Sequence, residues 1–336
     1  MATVYVIGAG ASRHAQYPLA SEMGKGLIEF MLGVDHPFAF IQARCLIKQF
    51  GHEPNIEEVI TELSLRIESA KAARVPADAS PCSPGNLRGW IGNWLREWFR
   101  QIHAGTAAAY AEFADKLVQA GDVIITFNYD DSLERELKRA GKWDLSGGYG
   151  FPLAAPGRSQ VLTLKLHGSM NWLWPVPFLG QRPLIHRADV EHLGYRDLTD
   201  FTGYLYENGG AIPCLILPDR EKKFFYETSF GIECRAFWDY LWTQAADAVK
   251  RSQRLVLCGY SLLPVDQRAC DLLLSEPRRD THVTVISGDQ SRRIAGDFRD
   301  AGFQNVDAFG RGFFEDWVHR EAGVGPSSTP RSNRSA

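Results

Sequence analysis

Short, unbroken apolar runs recur along the chain at Val4 to Ile7, Val123 to Phe127, Val161 to Leu166, Cys214 to Leu217, Leu255 to Cys258 and His282 to Ile286. All but Cys214 to Leu217, which runs into Pro218, are followed directly by Gly, Asn, His or Ser. Runs of this kind predict strands buried on both faces, the condition of a parallel sheet covered by helices on either side. Between them the apolar spacing changes to the helical period. Ile56, Val59, Ile60, Leu63 and Ile67 share one helix face, with Asn55 as N-cap and Glu58 three residues on. A second broad face carries Trp90, Ile91, Trp94, Leu95, Trp98, Phe99 and Ile102, and the Pro-, Ala- and Ser-rich stretch from Val75 to Gly89 reads as the loop before it. Further helices are predicted at Ser132 to Ala140, stopped by Gly141, at Phe237 to Lys250, at Asp266 to Leu274 and at Arg292 to Asp300.

Strands alternating with helices, interrupted early by a long helical stretch, predict an α/β fold: a Rossmann-like, doubly wound parallel sheet with a helical insertion lobe. Residues 1–23 and 121–321 are assigned to the sheet domain and 24–120 to the lobe. The tail 322–336 has few apolar residues and is expected to be disordered. The Trp-rich helix from Trp90 to Trp98 has two readings, the lobe's own core or a surface for an oligomer or partner.

Composition narrows the function classes. The 336 residues are 45% hydrophobic and 23% charged with a formal net charge of −3, so nothing draws the whole molecule toward nucleic acid or an anionic membrane. No basic stripe or carboxylate cluster stands out, and direct nucleic-acid binding is not indicated. The six cysteines form no CxxC pair, so neither a disulfide framework nor a thiolate zinc module is read from them, and reduced thiols are expected. Met1 leads directly into a strand and no segment approaches the apolar length of a membrane helix, which gives a cytoplasmic protein as the expectation.

The chemistry lies at the strand ends. Gly8-Ala9-Gly10-Ala11-Ser12 follows the first strand, where a glycine turn and a helix start can hold a diphosphate, or where the chain merely bends. Thr126-Phe127-Asn128-Tyr129-Asp130 ends the second, with Asn128 and Asp130 as ligand-facing groups or as caps of the next helix. Leu166-His167-Gly168-Ser169 places an imidazole at a third strand end, a candidate general base or a structural histidine. Cys258-Gly259-Tyr260-Ser261 and Ser287 to Asp289 follow later strands and suit ribose or phosphate contacts, or plain turns.

Taken together, GAGAS, TFNYD, LKLHGS and CGYS resemble, in order and approximate spacing from Val4 to about Asp289, the motifs of the sirtuin-like family. The resemblance implies NAD as substrate, while the want of the family's zinc cysteine pairs leaves no metal expected. Gly8, Ala9, Gly10, Ala11 and Ser12 would line its diphosphate, with Pro18 the one obvious counterpart of the family loop that follows. Thr126, Phe127 and Asn128 would face the nicotinamide ribose, Asp130 would orient nicotinamide and the loop, and His167, followed by Gly168 and Ser169, would act as general base. Gly259, Tyr260 and Ser261 would meet phosphate or the adenosine ribose, and Ser287 and Asp289 the adenosine end. The chain departs from family deacylases in three ways: it lacks the paired zinc cysteines, the Gly-Ile-Pro-x-Phe-Arg run, and a recognisable acyl-peptide cleft around Pro213 to Phe225. What persists is similar to bacterial sirtuin-like proteins of antiphage defence. That implies an NAD glycohydrolase acting by NAD depletion, working as a homo-oligomer or with a HerA-type ATPase or Argonaute partner. A protein deacylase and a noncatalytic NAD or ADP-ribose sensor are the alternatives.

Overall fold

The computed structural model describes residues 2–102, 107–145, 147–151, 159–175, 184–185, 211–219, 235–263 and 266–323. The sequence expectations for the tail beyond 323, and for the stretch from 220 to Phe225, lie outside the described residues. The strands are β1 (Thr3–Ile7), β2 (Val123–Thr126), β3 (Leu162–Lys165), β4 (Gly168–Pro175), β5 (Leu184–Ile185), β6 (Ala211–Leu215), β7 (Arg254–Cys258), β8 (His282–Ile286) and β9 (Asn305–Ala308). The helices are α1 (Ala20–Gly33), α2 (Pro37–Phe50), α3 (Ile56–Ala72), α4 (Pro84–Gln101), α5 (Ala108–Glu112), α6 (Ser132–Arg139), α7 (Arg235–Arg251), α8 (Gln267–Leu274), α9 (Ser291–Asp300) and α10 (Phe314–Glu321).

Six strands form one sheet in the order β3-β2-β1-β7-β8-β9, every neighbouring pair parallel. Residues 4–7 of β1 and 255–258 of β7 are all buried, as expected of strands covered on both faces. Numbered within the sheet, the order is 3-2-1-4-5-6: the chain winds outward from β1 on one side, then returns to β7 and winds outward on the other. A doubly wound sheet of this order opens a crevice at the carboxyl ends of its two central strands. The register aligns those ends. Ile7 lies opposite both Thr126 and Cys258, Thr126 opposite Lys165, and Cys258 opposite Ile286. The residues that follow, Gly8, Phe127, Leu166, Gly259 and Ser287, therefore leave the sheet along one edge.

Two strand expectations are corrected. Cys214 to Leu217 is not part of the parallel sheet. β6 pairs antiparallel with β4 in a separate sheet of order β5-β4-β6, because the chain reverses just after β3 and Gly168 enters β4 with φ +85°. A Cβ at Gly168 would lie 2.0 Å from the Cys214 carbonyl oxygen, so the crossing of β4 and β6 requires glycine. β9, whose side chains remain partly exposed at the sheet edge, has no apolar run and escaped sequence reading.

Helices α1 to α4 pack on one another beside the sheet's carboxyl edge. Asn55 caps α3, its Oδ1 accepting the Glu57 amide at 2.9 Å. The tryptophans of α4 turn into these helices. Trp94 is stacked on Trp90 at 6.0 Å and donates its indole N–H to Gln42 Oε1 at 2.8 Å, while the Trp98 ring lies where a Cβ on Gly26 would fall. The sulfurs of Cys45 on α2 and Cys82 are joined, which corrects the reading of all six cysteines as thiols; the spacing of the cysteines carried no sign of the pair. No helix among the described residues is long and apolar enough to cross a membrane.

Candidate active site

The turns after β1 and β7 touch backbone to backbone. The Gly8 amide donates to the Cys258 carbonyl (2.9 Å), the Gly10 amide to the Gly259 carbonyl (3.0 Å), and the Ala11 amide back to Gly8 (2.9 Å). Gly259 has φ +62°, and a Cβ there would lie 2.1 Å from the Ala11 nitrogen; at Gly8 it would lie 2.6 Å from the Gly259 oxygen. The glycines are needed so that the two turns can cross, and three of the amides expected at a diphosphate are engaged within the protein.

Asn128 is held by this turn. Its Nδ2 donates to the Gly8 carbonyl at 3.0 Å and to Ser12 Oγ at 2.9 Å. A carbonyl can only accept, so the amide orientation is fixed and both N–H groups are used. Ser12 Oγ donates to Asp130 Oδ2 (2.8 Å) and pairs with the Tyr110 hydroxyl (2.8 Å), which fills its one donor and two acceptor roles. Burial raises the Tyr110 phenol well above its ordinary value, so it remains a neutral donor. Asp130 Oδ1 accepts the Ser132 amide at the start of α6 (3.1 Å), the capping role that the sequence left open.

Behind Asp130 stands a fully buried ion pair. Lys165 Nζ lies 2.8 Å from Glu134 Oε1 and donates to the Asp130 carbonyl at 2.5 Å. Burial pushes the Glu134 carboxyl up and the nearby ammonium opposes that shift. Through Asp130 and Ser12 this pair supports the Asn128 amide.

His167 follows β3. Its backbone is fixed by the Ile216 amide, which donates to the His167 carbonyl at 2.9 Å, and its ring meets Phe127 edge-on at 5.0 Å. Nε2 lies 3.9 Å from Asp266 Oδ2, which also accepts the Tyr260 hydroxyl at 3.2 Å. Tyr260 in turn stacks on Phe127 at 4.4 Å. Asp266 was legible only as a residue at a helix start, where an acid ordinarily caps.

These groups surround one cavity of about 440 Å³ at the switch point of the sheet, within the size range of ligand clefts. Of the sequence-predicted residues, Ala9, Gly10, Ser12, Pro18, Phe127, Asn128, Asp130, His167, Gly259, Tyr260, Ser261 and Ser287 line it. Gly8, Ala11, Thr126, Gly168, Ser169 and Asp289 are outside the lining. Thr126 Oγ1 accepts the Asn128 amide (3.1 Å), Ser169 Oγ donates to the Tyr129 carbonyl (3.2 Å), and the exposed Asp289 faces Arg311 while its neighbour Gln290 reaches the wall. Met23 of α1, Glu57 of α3 and Phe99 of α4 add to the lining, and none of them was foreseen. Three acidic residues, Glu57, Asp130 and Asp266, belong to the lining, against one arginine, Arg13, which is paired with Glu22 at 2.9 Å. Such a wall favours a centre of developing positive charge. Among the described residues no group of three or more His, Cys, Asp or Glu side chains could hold a metal ion.

No family model and no curated protein matches the chain. Among solved structures it is similar to one described under the structural basis of sirtuin substrate affinity, at 13% identity over 97% of this chain and 94% of that one, with a TM-score of 0.45. A Sir2 homologue mutant in complex with 2'-O-acetyl ADP-ribose gives 16%, 97%, 94% and 0.45. Sir2Tm bound to a propionylated peptide gives 16%, 96%, 94% and 0.40.

Proposed function

We propose that the protein binds NAD in the switch-point cavity and hydrolyses it to nicotinamide and ADP-ribose. One observation carries the reading: Asn128 and His167, from the ends of adjacent strands, line the same cavity as the glycine turn of β1. The four strand-end motifs, with their resemblance to sirtuin-like proteins, supply the ligand. The diphosphate would lie against the turns after β1 and β7, and the nicotinamide ribose between Asn128 and His167.

As the glycosidic C–N bond breaks, its electron pair leaves with nicotinamide and positive charge develops on the ribose. Glu57, Asp130 and Asp266 stabilise that charge from the cavity wall. Asn128 offers Oδ1 to a ribose hydroxyl or to the water, since both of its N–H groups are engaged elsewhere. His167 takes the proton as the water oxygen bonds to the anomeric carbon. Holding NAD and water together supplies much of the acceleration.

In the cell this activity would deplete NAD in the cytoplasm as a response to phage infection. It would be restrained in a homo-oligomer or by a partner such as a HerA-type ATPase or an Argonaute. The test is to incubate the purified protein with NAD, alone and with neighbouring gene products, and to follow nicotinamide by chromatography. Stoichiometric nicotinamide and ADP-ribose are expected. Release only with an acylated peptide would favour a deacylase, and tight binding without release under either condition would favour a sensor.

A further inference from the structure

We propose that Asp266 is a positioning residue, which holds the His167 ring and raises its affinity for a proton; its place in catalysis rests on the glycohydrolase reading above. Asp266 is 8% exposed and immediately precedes α8, with Oδ2 facing His167 Nε2 at 3.9 Å. Oδ2 is fixed by the Tyr260 hydroxyl, and Tyr260 is fixed by stacking on Phe127, which also packs on His167. Carboxylate, phenol, phenyl ring and imidazole thus form a closed set of contacts at the ends of β2, β3 and β7. The second carboxylate oxygen, Oδ1, is buried and makes no hydrogen bond among the described residues. A buried carboxylate without its full complement of donors is costly unless a positive charge compensates it. A protonated His167 supplies that charge at the moment it has taken the proton from water.

Among the described residues, the other ionisable groups around the pair do not replace it. Burial raises the Tyr260 phenol well above its ordinary value, so it stays a neutral donor. The Tyr129 phenol is raised for the same reason, and the Cys270 thiol on α8 is pushed up by burial and by Asp266. Arg268, two residues into α8, turns away to Asp239 and the Trp242 ring. Asp130 and Glu57 reach the same cavity from the β2 end and from α3, and Arg13 at the turn after β1 is paired with Glu22.

A neighbouring carboxylate favours imidazolium, so its removal lowers the histidine pKa. The experiment is a pH titration of the histidine ring signals of the full chain by NMR, with the signal of His167 identified by its loss in His167→Ala. In Asp266→Asn the His167 ring is expected to titrate about one unit or more below its wild-type value. The pH profile of nicotinamide release should move with it, its acidic limb shifting to lower pH and kcat falling about tenfold at the plateau. An unchanged His167 titration in Asp266→Asn overturns the proposal while leaving NAD cleavage standing. A shifted titration in a protein that releases no nicotinamide, alone or with the neighbouring gene products, keeps the pair and overturns the glycohydrolase reading instead. If Asp266→Asn does not fold, Asp266→Ser, which keeps a capping oxygen at the start of α8 without the charge, decides in its place: an unchanged His167 titration there contradicts the pairing.

Discussion

His167→Ala is expected to lower nicotinamide release by about 10²- to 10⁴-fold, the usual contribution of a positioned base, with little change in thermal unfolding. The separation of activity from stability follows from the contacts. The ring lies at the wall of a cavity and packs edge-on against Phe127, while the fold at this point is maintained by its backbone, through the Ile216 amide. Asn128→Ala should differ. It also removes turnover, but it strips one buried donor from the Gly8 carbonyl and one from Ser12 Oγ, which keep only the Ala11 amide and the Tyr110 hydroxyl, and each lost hydrogen bond costs about 0.5–1.5 kcal/mol. Initial rates from chromatography together with urea unfolding curves separate the two cases. Normal NAD consumption by purified His167→Ala would remove the proposed base.

The largest effect on stability is expected at Lys165, which is fully buried and outside the cavity lining. Lys165→Met leaves Glu134 buried without its counter-charge and the Asp130 carbonyl without its donor, and breaking a buried pair on one side costs about 3–5 kcal/mol. Replacing both partners, as Lys165→Met with Glu134→Leu, should recover most of that loss, because two apolar side chains need no counter-charge. Urea midpoints of the single and double variants measure the difference. A single variant as stable as the wild type would show that the pair does not hold the Asp130 turn.

How much of this was readable in advance depended on what each residue had to do locally. The parallel strands were legible because burial on both faces demands unbroken apolar runs, and their ends because glycine and short polar residues interrupt them. Once the strands were placed, the shared edge of Gly8, Asn128, His167 and Gly259 followed from parallel pairing. Pairing partners were not legible: the Cys214 run is as apolar as β7, and only the early reversal at Gly168 sends it to a second sheet. Lys165 sits in an apolar strand, but nothing local shows that its ammonium meets Glu134 across the β2–α6 turn. Asp266 looked like an ordinary helix cap because its link to His167 joins elements about a hundred residues apart. Asp289 had a ligand's chemistry and the right sequence position, but its side chain points to solvent beside Arg311.

Amide hydrogen exchange is the most direct probe of where the dinucleotide sits, carried out on His167→Ala so that NAD is bound and not consumed. With saturating NAD, exchange is expected to slow in peptides spanning Gly8 to Ser12, Phe127 to Asp130 and Gly259 to Ser261, the three segments that meet at the cavity. Protection confined to other parts of the chain, or none at all, would contradict a dinucleotide held at the switch point of the sheet.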